Sequence, residues 1–320
     1  MPRSSGGRSK TAPLRIRVGC ALAFAFFFAG ALAASEPIVY GTIETQTAAG
    51  PLRGFWAKVH LDAPGIHVGA TEPLTPAAGD PAGTEVKLLP VNQWAQANGA
   101  TLAINASFFA MINPKPGPGE DKVRYTTGAA SDIRGLSKGE HGLVSPARVM
   151  GGRGDPALLV YADHARAAYA TDADLADVRC AVAGIGPSDD GKQPGTLLVE
   201  AGRNLGATAR VAPKVRHPRT AAGVSADGKT LILLTVEGRQ PGYSVGATLP
   251  EMADLIIELG ARDAVALDGG GSTSFFFKRA DGSLITNKPS DGEWRPVGNH
   301  LGVWVRWPEA AATLTQKKQP

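Results

Sequence analysis

The amino-acid sequence predicts a mixed α+β fold, with a mixed β-sheet core and flanking helices in a single domain. Short apolar runs, many of them β-branched and bounded by turn residues, recur along the chain and are typical of strands. Helical periodicity is limited to a few segments. The 40 glycines and 24 prolines among 320 residues predict many turns and long ordered loops between these elements.

The first predicted strands lie at residues 38–44 and 57–61. Residues 61–87 are rich in proline, glycine and threonine, which favours a loop. A short helix is predicted at residues 91–97, because Gly99 provides a stop signal behind it. Further predicted elements, in chain order, are a strand at 102–105, a rigid loop at 113–122, and strands at 157–161, 181–185, 196–200 and 302–305.

The clearest local unit is a strand, a helix and a second strand. Residues 231–236 form a continuous apolar run and hence a buried strand. Thr248 and Glu251 have the spacing of a capping box, which predicts the start of a helix. Gly260 ends that helix, and residues 264–267 form the next strand. The apolar face of the helix repeats at i, i+3, i+4 and i+7, through Met252, Leu255, Ile256 and Leu259.

Asp268 stands at the carboxyl end of the second strand and is followed by Gly269, Gly270, Gly271 and Ser272. In a strand–helix–strand arrangement, this end of the strand opens on the crevice where ligands bind. Successive glycine amides can turn towards one point and form an anion-binding nest, above all for phosphate. The sequence therefore predicts a functional carboxylate at Asp268 and a phosphate-binding site at the four residues that follow it.

Two further segments supply charged groups for the same crevice. His217, Arg219 and Thr220 are predicted to bind phosphate, since a guanidinium beside a hydroxyl donor suits this group. A structural ion pair is the alternative role for Arg219. Glu237 and Arg239 follow the first buried strand. If the two strands lie close together in the sheet, Glu237 and Asp268 approach each other at the same edge, and two carboxylates that flank one bond are what glycoside cleavage normally needs.

Other polar and aromatic side chains are predicted to complete the substrate site. Asn105 offers an amide to a sugar hydroxyl, and Phe109 offers a ring face, although a core role suits Phe109 equally well. Arg295 and Asn299 precede the final strand and are further binding candidates. The six histidines are scattered along the chain, so the sequence does not indicate a zinc site. No cofactor is predicted, although an acid-rich site beside phosphate could recruit a divalent ion.

Residues 1–34 are predicted to be a secretory signal peptide. Basic residues precede an apolar run that ends in small residues, which is the pattern of an export signal. An uncleaved membrane anchor is the alternative, because the run has the length of a short spanning helix. We therefore expect an exported protein, either periplasmic or secreted, with no stable membrane insertion after cleavage. The domain is predicted at 35–306, and a polar tail at 307–320.

The charge of the chain is close to neutral once the signal is set aside. Residues 1–34 contain five basic residues and no acidic residue. The rest of the chain therefore has 28 of the 33 basic residues and all 29 acidic residues. This balance gives no reason to expect nucleic acid or an anionic membrane surface as a partner. Cys180 is then left without a second cysteine, so no intrachain disulfide is expected.

Taken together, these segments resemble the phosphodiester glycosidase family. The resemblance covers residues 38–306, and its specific part is the Asp-Gly-Gly-Gly-Ser sequence at 268–272 with the helix before it. Two departures stand out. The family usually has Asn-Gly-Gly-Phe-Phe where this chain has Asn-Ala-Ser-Phe-Phe at 105–109, and often has Asp-Gly where this chain has Glu-Gly at 237–238. The second departure moves a carboxylate by one methylene.

The resemblance implies a hydrolase that cleaves the glycosidic C–O bond of a sugar-1-phosphodiester, or of a related envelope or exopolysaccharide glycan. The expected partner is therefore a carbohydrate or sugar-phosphate substrate. In this chemistry Arg219 and the glycine amides would neutralise the departing phosphate. Asp268, with Glu237 as its partner, would activate water or stabilise the oxocarbenium-like transition state.

Two other classes of function remain open from the residues alone. One is a serine hydrolase, with Ser272 as nucleophile and His217 or His300 as its base. The other is a non-catalytic module that binds an anionic polysaccharide. The first predicts labelling of Ser272 by a serine-reactive probe, and the second predicts glycan binding without product release.

Overall fold

The computed structural model describes residues 16–17, 36–114 and 124–306. Apart from residues 16–17, the predicted signal peptide lies outside the described residues. The predicted tail at 307–320 and most of the predicted loop at 113–122 lie outside them as well. Within the described part of the chain, no helix is both long and apolar enough to cross a membrane.

The described residues form twenty-one strands and two α-helices. In chain order the elements are β1 Ile16–Arg17, β2 Ile38–Thr47, β3 Gly50–His60, β4 Ile66–Ala70, β5 Val86–Lys87, α1 Val91–Asn98, β6 Leu102–Asn105, β7 Phe109–Met111, β8 Ala130–Ile133, β9 Ser137–Gly139, β10 Gly142–Ser145, β11 Asp155–Val160, β12 Ala165–Ala170, β13 Cys180–Ala183, β14 Val199–Glu200, β15 Arg203–Asn204, β16 Arg219–Val224, β17 Thr230–Val236, α2 Leu249–Glu258, β18 Asp263–Ala266, β19 Phe275–Lys278, β20 Leu284–Thr286 and β21 His300–Val305. Short 3₁₀ turns lie at Asp172–Asp174, Gly206–Thr208 and Gly270–Ser272.

The strands form four sheets in a single domain. The central sheet has eight strands in the order β1-β2-β3-β17-β16-β18-β14-β15, and two five-stranded sheets have the orders β10-β9-β13-β11-β12 and β20-β19-β6-β21-β4. A small sheet has the order β5-β8-β7. All the strand pairings of the described residues are antiparallel. The predicted mixed α+β class is thus confirmed only loosely, because the protein is mainly antiparallel β-sheet.

The main hydrophobic core lies between the central sheet and the two five-stranded sheets. Leu233 and Val265 of the central sheet are fully buried there, as are Ile104 of β6, Leu158 of β11 and Val182 of β13. The two helices pack on outer faces: α2 covers the other side of the central sheet, and α1 covers the other side of the sheet that contains β6. The helices therefore shield the sheets and do not lie between them.

The strand–helix–strand unit folds as predicted. β17 matches the predicted apolar run, and α2 begins at the predicted capping box, in which the Thr248 hydroxyl accepts from the Glu251 N–H. The prediction of a loop throughout residues 61–87 is wrong, because β4 lies within it. β4 pairs with β21 at the far end of the chain, so its stabilising partner is invisible in the local sequence.

The topology of the central sheet decides which residues share an edge. β16 lies between β17 and β18 and is antiparallel to both, so β17 and β18 end at the same edge of the sheet. Glu237, which follows β17, and Asp268, which follows β18, therefore lie along one edge as predicted. The start of β16, at Pro218 and Arg219, separates them.

Candidate active site

A cleft of about 210 Å³ opens at this edge of the central sheet. Eight of the fourteen predicted site residues line it, together with three apolar residues. The lining consists of His217, Arg219, Arg239, Asp268, Gly269, Gly270, Gly271 and Arg295, with Phe108, Val211 and Ala212. The predicted residues Asn105, Phe109, Thr220, Glu237, Ser272 and Asn299 do not line it.

Asp268 is the carboxylate of this cleft. Its side chain is half-buried, and its Oδ1 accepts the Gly269 N–H at 2.8 Å. Burial raises the pKa of Asp268 from its ordinary value of 3.8 to about 6, although the Ser272 hydroxyl, the Gly269 amide and the charges of Arg295 and Arg239 all favour the ionised form. A carboxyl group with a pKa near 6 can hold or release a proton close to neutral pH, which is the property that acid–base catalysis requires.

Two arginines form a cationic wall facing this carboxylate. Arg239 is exposed and has a left-handed backbone conformation, with φ of 58°. Arg295 is held in place by Asp291, whose Oδ2 accepts from the Arg295 Nε at 3.0 Å, and by the Tyr125 ring, whose centroid lies 4.5 Å from the guanidinium carbon. A left-handed backbone is costly for a residue other than glycine, by roughly 1–3 kcal/mol, and such residues cluster at functional sites.

The three glycines do not form the predicted nest of free amides. The Gly269 N–H donates to the side chain of Asp268, and the Gly270 N–H donates to the Pro218 carbonyl at 2.9 Å. Among the described residues, Gly271 is the one glycine of the three whose amide has no acceptor. The predicted role of this segment is therefore corrected: at most one of its glycine amides is available to an anion.

The glycines instead leave room for the arginines. Gly270 has φ of 63°, and a Cβ placed on it would lie 3.0 Å from the Arg239 guanidinium. A Cβ on Gly271 would lie 2.1 Å from both the Arg295 guanidinium and the Asp291 carboxylate, which is far inside van der Waals contact. Because Gly270 and Gly271 have no side chains, both guanidinium groups can lie directly against the backbone beside Asp268.

His217 lies beside Arg239 in the cleft. The Arg239 Nε donates to the His217 Nδ1 at 3.4 Å, so in the neutral ring the proton is on Nε2. Burial lowers the pKa of His217, and the charges of Arg239 and Arg219 lower it further. The imidazole is therefore neutral near pH 7 and can donate one hydrogen bond from Nε2.

Arg219 lines the cleft, but its hydrogen bonds are used inside the protein. Its Nε donates to the Ala247 carbonyl, its Nη1 to Val211, and its Nη2 to Ala212 and Val215, at 2.8–3.3 Å. Burial, with a smaller contribution from a neighbouring arginine, lowers the pKa of Arg219 to about 10. The predicted bidentate phosphate contact does not fit this geometry, because both Nη2 protons are taken. Arg219 holds the cleft-lining loop and contributes positive charge from behind it.

Asn105 and Thr220 lie beneath the cleft and not in it. The Asn105 Nδ2 donates to the Asp268 carbonyl at 2.6 Å, and its Oδ1 accepts the Thr220 hydroxyl at 2.8 Å and the Ser274 N–H at 3.0 Å. Both side chains are almost fully buried. In place of the predicted contacts of Asn105 with a sugar hydroxyl and of Thr220 with phosphate, both side chains bond within the protein and fix the backbone that carries the Asp268 carboxylate.

Glu237 is held away from the cleft. Its carboxylate accepts the Lys288 N–H, its carbonyl accepts the Ser244 hydroxyl at 2.6 Å, and the side chain is 2% exposed. Burial raises the pKa of Glu237. Because the start of β16 separates it from Asp268, the predicted catalytic pair is not assembled. Glu237 instead ties the segment around Lys288 to the end of β17.

The remaining predicted residues have other contacts. Phe109 is half-buried and packs edge-on against Tyr125, with ring centroids 5.8 Å apart. Asn299 is buried and donates to the Ser137 hydroxyl at 2.8 Å. The buried Ser272 hydroxyl bonds to the Asp268 carboxyl group.

His300 is not available as a base for a serine nucleophile. Its Nδ1 lies 2.9 Å from the Thr71 hydroxyl and its Nε2 lies 2.8 Å from the Leu89 carbonyl, so both ring nitrogens have partners. Burial lowers the pKa of His300 to about 4. Of the two predicted bases for Ser272, only His217 lies in the cleft.

Sequence reasoning missed Asp291 and Tyr125, which position Arg295, and the apolar residues Val211 and Ala212. None of them belongs to a recognisable motif, and their places depend on how distant loops meet. No group of three or more His, Cys, Asp or Glu side chains within residues 36–114 and 124–306 is arranged to hold a metal ion.

The family of the chain follows from its sequence as a whole. The sequence model of the phosphodiester glycosidase family matches residues 98–304, which is well over half of the chain. The chain therefore belongs to the phosphodiester glycosidase family, as its motifs indicated.

Solved structures share the fold. The catalytic domain of zebrafish N-acetylglucosamine-1-phosphodiester alpha-N-acetylglucosaminidase, auto-inhibited by its pro-peptide, is 20% identical with a TM-score of 0.57, covering 86% of each chain. A protein from Burkholderia pseudomallei K96243, provisionally described as exported, is 19% identical with a TM-score of 0.52, covering 79% of this chain and 74% of its own. At these identities the similarity establishes a common fold.

A similarity to one curated protein is local. The SPbeta prophage-derived protein YomE of Bacillus subtilis (strain 168) is 40% identical over 89 residues, which are 28% of this chain and 13% of YomE. The match thus spans about one eighth of that much longer relative.

Proposed function

We propose that this protein hydrolyses the glycosidic C–O bond of a sugar-1-phosphodiester, with Asp268 as the catalytic carboxylate. The observation that carries the proposal is the arrangement of one carboxyl group of raised pKa against a wall of two arginines. A phosphodiester is a monoanion, so Arg239 and Arg295 are suited to bind it. A neutral glycoside would leave the exposed Arg239 without an anion to pair with, whereas Arg295 is already paired with Asp291.

The bond changes follow from the charges of the cleft. As the bond between the anomeric carbon and the phosphate oxygen breaks, the leaving phosphate monoester gains a negative charge, which Arg239 and Arg295 stabilise. Positive charge develops at the anomeric carbon, and ionised Asp268 stabilises it. Water adds to that carbon and gives its proton to Asp268. Phosphate is a good leaving group, so the reaction needs little help from a general acid, which suits a cleft lined by one carboxylate.

The position of bond cleavage tests this proposal. Full-length protein and a panel of sugar-1-phosphodiesters are incubated in ¹⁸O-labelled water, and the products are analysed by mass spectrometry. We expect the label in the released sugar. Label in the phosphate would mean P–O cleavage and would overturn the glycosidase mechanism. Asp268→Asn should lose turnover, whereas the matched control Asp163→Asn, at an exposed ion pair with Lys229, should keep it.

We also propose that the protein acts outside the cytoplasm. The export pattern of residues 1–34 supports this, as does the shared fold with a Burkholderia protein provisionally described as exported. An envelope or exopolysaccharide glycan would then be within reach as substrate. Fractionation of expressing cells followed by N-terminal sequencing is the test. A mature chain that begins near Ser35 is expected, and an intact chain in the cytoplasm would contradict the proposal.

A further inference from the structure

A second cleft lies on the outer side of the sheet that contains β4 and β21. It has a volume of about 420 Å³, twice that of the Asp268 cleft, and the two share no lining residue. Its walls come from β4, β5, β21, α1 and the turn between β9 and β10. The proposed hydrolysis does not use it.

One wall of this second cleft is aromatic and rigid. The rings of Trp94 and His300 stack with centroids 4.9 Å apart and planes 2° apart, and Trp304 meets Trp94 edge-on. Gly69 and Gly302 make space for these rings, since a Cβ on Gly69 would lie 3.2 Å from Trp304 and one on Gly302 only 2.7 Å from Trp94. Trp94 is buried, so half-buried Trp304 is the indole that this wall presents to the cleft.

Two glutamates with fixed positions face this wall. Glu72 accepts the backbone N–H groups of Glu140 and His141 at 2.9 and 3.0 Å. The Glu140 carboxylate lies 3.3 Å from the His67 Nε2, while Arg179 donates to the Nδ1 of the same ring at 3.3 Å. Both carboxylates remain close to half exposed, with exposures of 42% and 47% for their side chains. Each therefore keeps lone pairs available for further donors.

These features select the chemistry of a ligand. The C–H face of a pyranose packs against an indole, and its hydroxyl groups donate to carboxylates, so a sugar ring meets both walls at once. Anions are disfavoured by Glu72 and Glu140, and Lys87, which also lines the cleft, is already paired with Asp80 at 2.8 Å. A cation would need several exposed aromatic faces around it, and Trp304 supplies one.

We infer that this second cleft is a binding site for an uncharged sugar residue, separate from the site of hydrolysis. It extends the protein beyond its proposed reaction, because it would hold a glycan chain at a second point on the surface. A substrate that is part of a polymer could then stay bound to the protein between cuts, whereas a small phosphodiester would gain nothing.

Calorimetric titration of the full-length Asp268→Asn protein tests the inference, since this protein should not consume its ligand. The probes are uncharged tetrasaccharides of glucose, mannose, galactose and N-acetylglucosamine. We expect saturable binding of at least one of them. Glu140→Gln should weaken that Kd about tenfold, because a hydrogen bond to a charged acceptor is replaced by one to a neutral acceptor. Trp304→Ala should abolish saturable binding.

The controls separate this site from the first one. Glu44→Gln changes another exposed glutamate, paired with Arg53, and should leave the Kd unchanged. Because Trp304 also packs near α1, the exposed Glu140 is the decisive position if Trp304→Ala does not fold. Absence of binding to all four probes, or equal Kd values for Glu140→Gln and Glu44→Gln, would overturn the inference. Because binding is measured without turnover, the Kd values can still be interpreted if the hydrolysis proposal fails.

Discussion

The polar residues around Asp268 form two groups that look alike in sequence and differ in the structure. Arg239 and Arg295 present guanidinium groups to the cleft, while Asn105, Thr220 and Arg219 direct their hydrogen bonds at the protein itself. Buried polar groups must be satisfied by the chain, so a residue that meets this need has few donors left for a ligand. The comparison teaches that burial, and not position at a strand end, separates scaffold from binding surface.

The largest expected effect is on catalysis. Asp268→Asn keeps the shape of the side chain but removes the proton acceptor, so kcat/KM should fall at least about 1,000-fold. The measurement is steady-state hydrolysis of a sugar-1-phosphodiester, with circular dichroism to confirm the fold. A loss smaller than about tenfold would place the catalytic carboxylate elsewhere.

Substitution of the buried residues, Asn105, Thr220 and Arg219, should lower the stability of the protein. Asn105→Ala leaves the Ser274 N–H and the Asp268 carbonyl without their buried partner, which should cost about 3 kcal/mol of unfolding free energy. Urea unfolding gives the value. Asn204→Ala, at an exposed asparagine, is the matched control and should cost less than about 1 kcal/mol. An equal cost at both positions would break the distinction between the two groups.

Arg239 and Arg295, which line the cleft, should respond mainly in activity. Arg239→Gln and Arg295→Gln should each lower kcat/KM about 10- to 100-fold, because a charge that stabilises the leaving phosphate is lost. The unfolding free energy should stay within about 0.5 kcal/mol of the parent value for Arg239→Gln, and should fall by no more than about 1 kcal/mol for Arg295→Gln, which loses its ion pair with Asp291 and its contact with Tyr125. Arg203→Gln, at an exposed ion pair that does not line the cleft, is the control for activity. A stability loss as large as that at Asn105 would assign these arginines to the scaffold.

Asp268 should also affect stability with pH. The pKa of Asp268 rises from its ordinary value of 3.8 in the unfolded chain to about 6 in the folded protein. Ionisation of this half-buried carboxyl group therefore makes folding less favourable as the pH rises from about 4 to about 6. Asp268→Asn should therefore be more stable than the parent by about 1 kcal/mol at pH 8, with no advantage near pH 4. Urea midpoints at the two pH values give the comparison, and an advantage equal at both would show that the charge is not its cause.

The smallest expected effect is a shift in the pH profile. If the ionised carboxylate is the active form, kcat/KM should rise with pH through about 6, the pKa of Asp268. Arg295 favours the ionised form of Asp268, so Arg295→Gln should shift this rise in kcat/KM to higher pH. Initial rates between pH 4 and 9 test it. If the pH at which kcat/KM rises stays the same or becomes lower in Arg295→Gln, the charge of Arg295 does not act on Asp268.

Much of the local structure could be predicted from the sequence. The strand at β17, the capped helix α2, the short helix α1 and Asp268 at the end of the next strand depend on patterns within about ten residues. For the same reason the position of the cleft was predictable. Hydrophobic periodicity and capping act locally, and their signals survive in a single sequence.

The remaining features depend on contacts between distant segments. β4 is stabilised by β21, and Arg295 is positioned by a loop and an aromatic ring that no motif connects. Glu237 follows its strand as predicted, but the strand that separates it from Asp268 is a matter of sheet order. Sequence patterns indicate which residues are polar at a strand end. They do not indicate which of those residues the chain will use for its own hydrogen bonds.

Gly270 and Gly271 also limit how this site can be changed. Any larger residue at position 271 would displace the Arg295 guanidinium and the Asp291 carboxylate together, and position 270 combines a close arginine with a left-handed backbone. A saturation library over these two codons should return glycine almost exclusively among active clones. New substrate preferences must therefore be sought at the apolar lining residues Phe108 and Val211, where a substitution alters the ligand's surroundings without displacing a guanidinium.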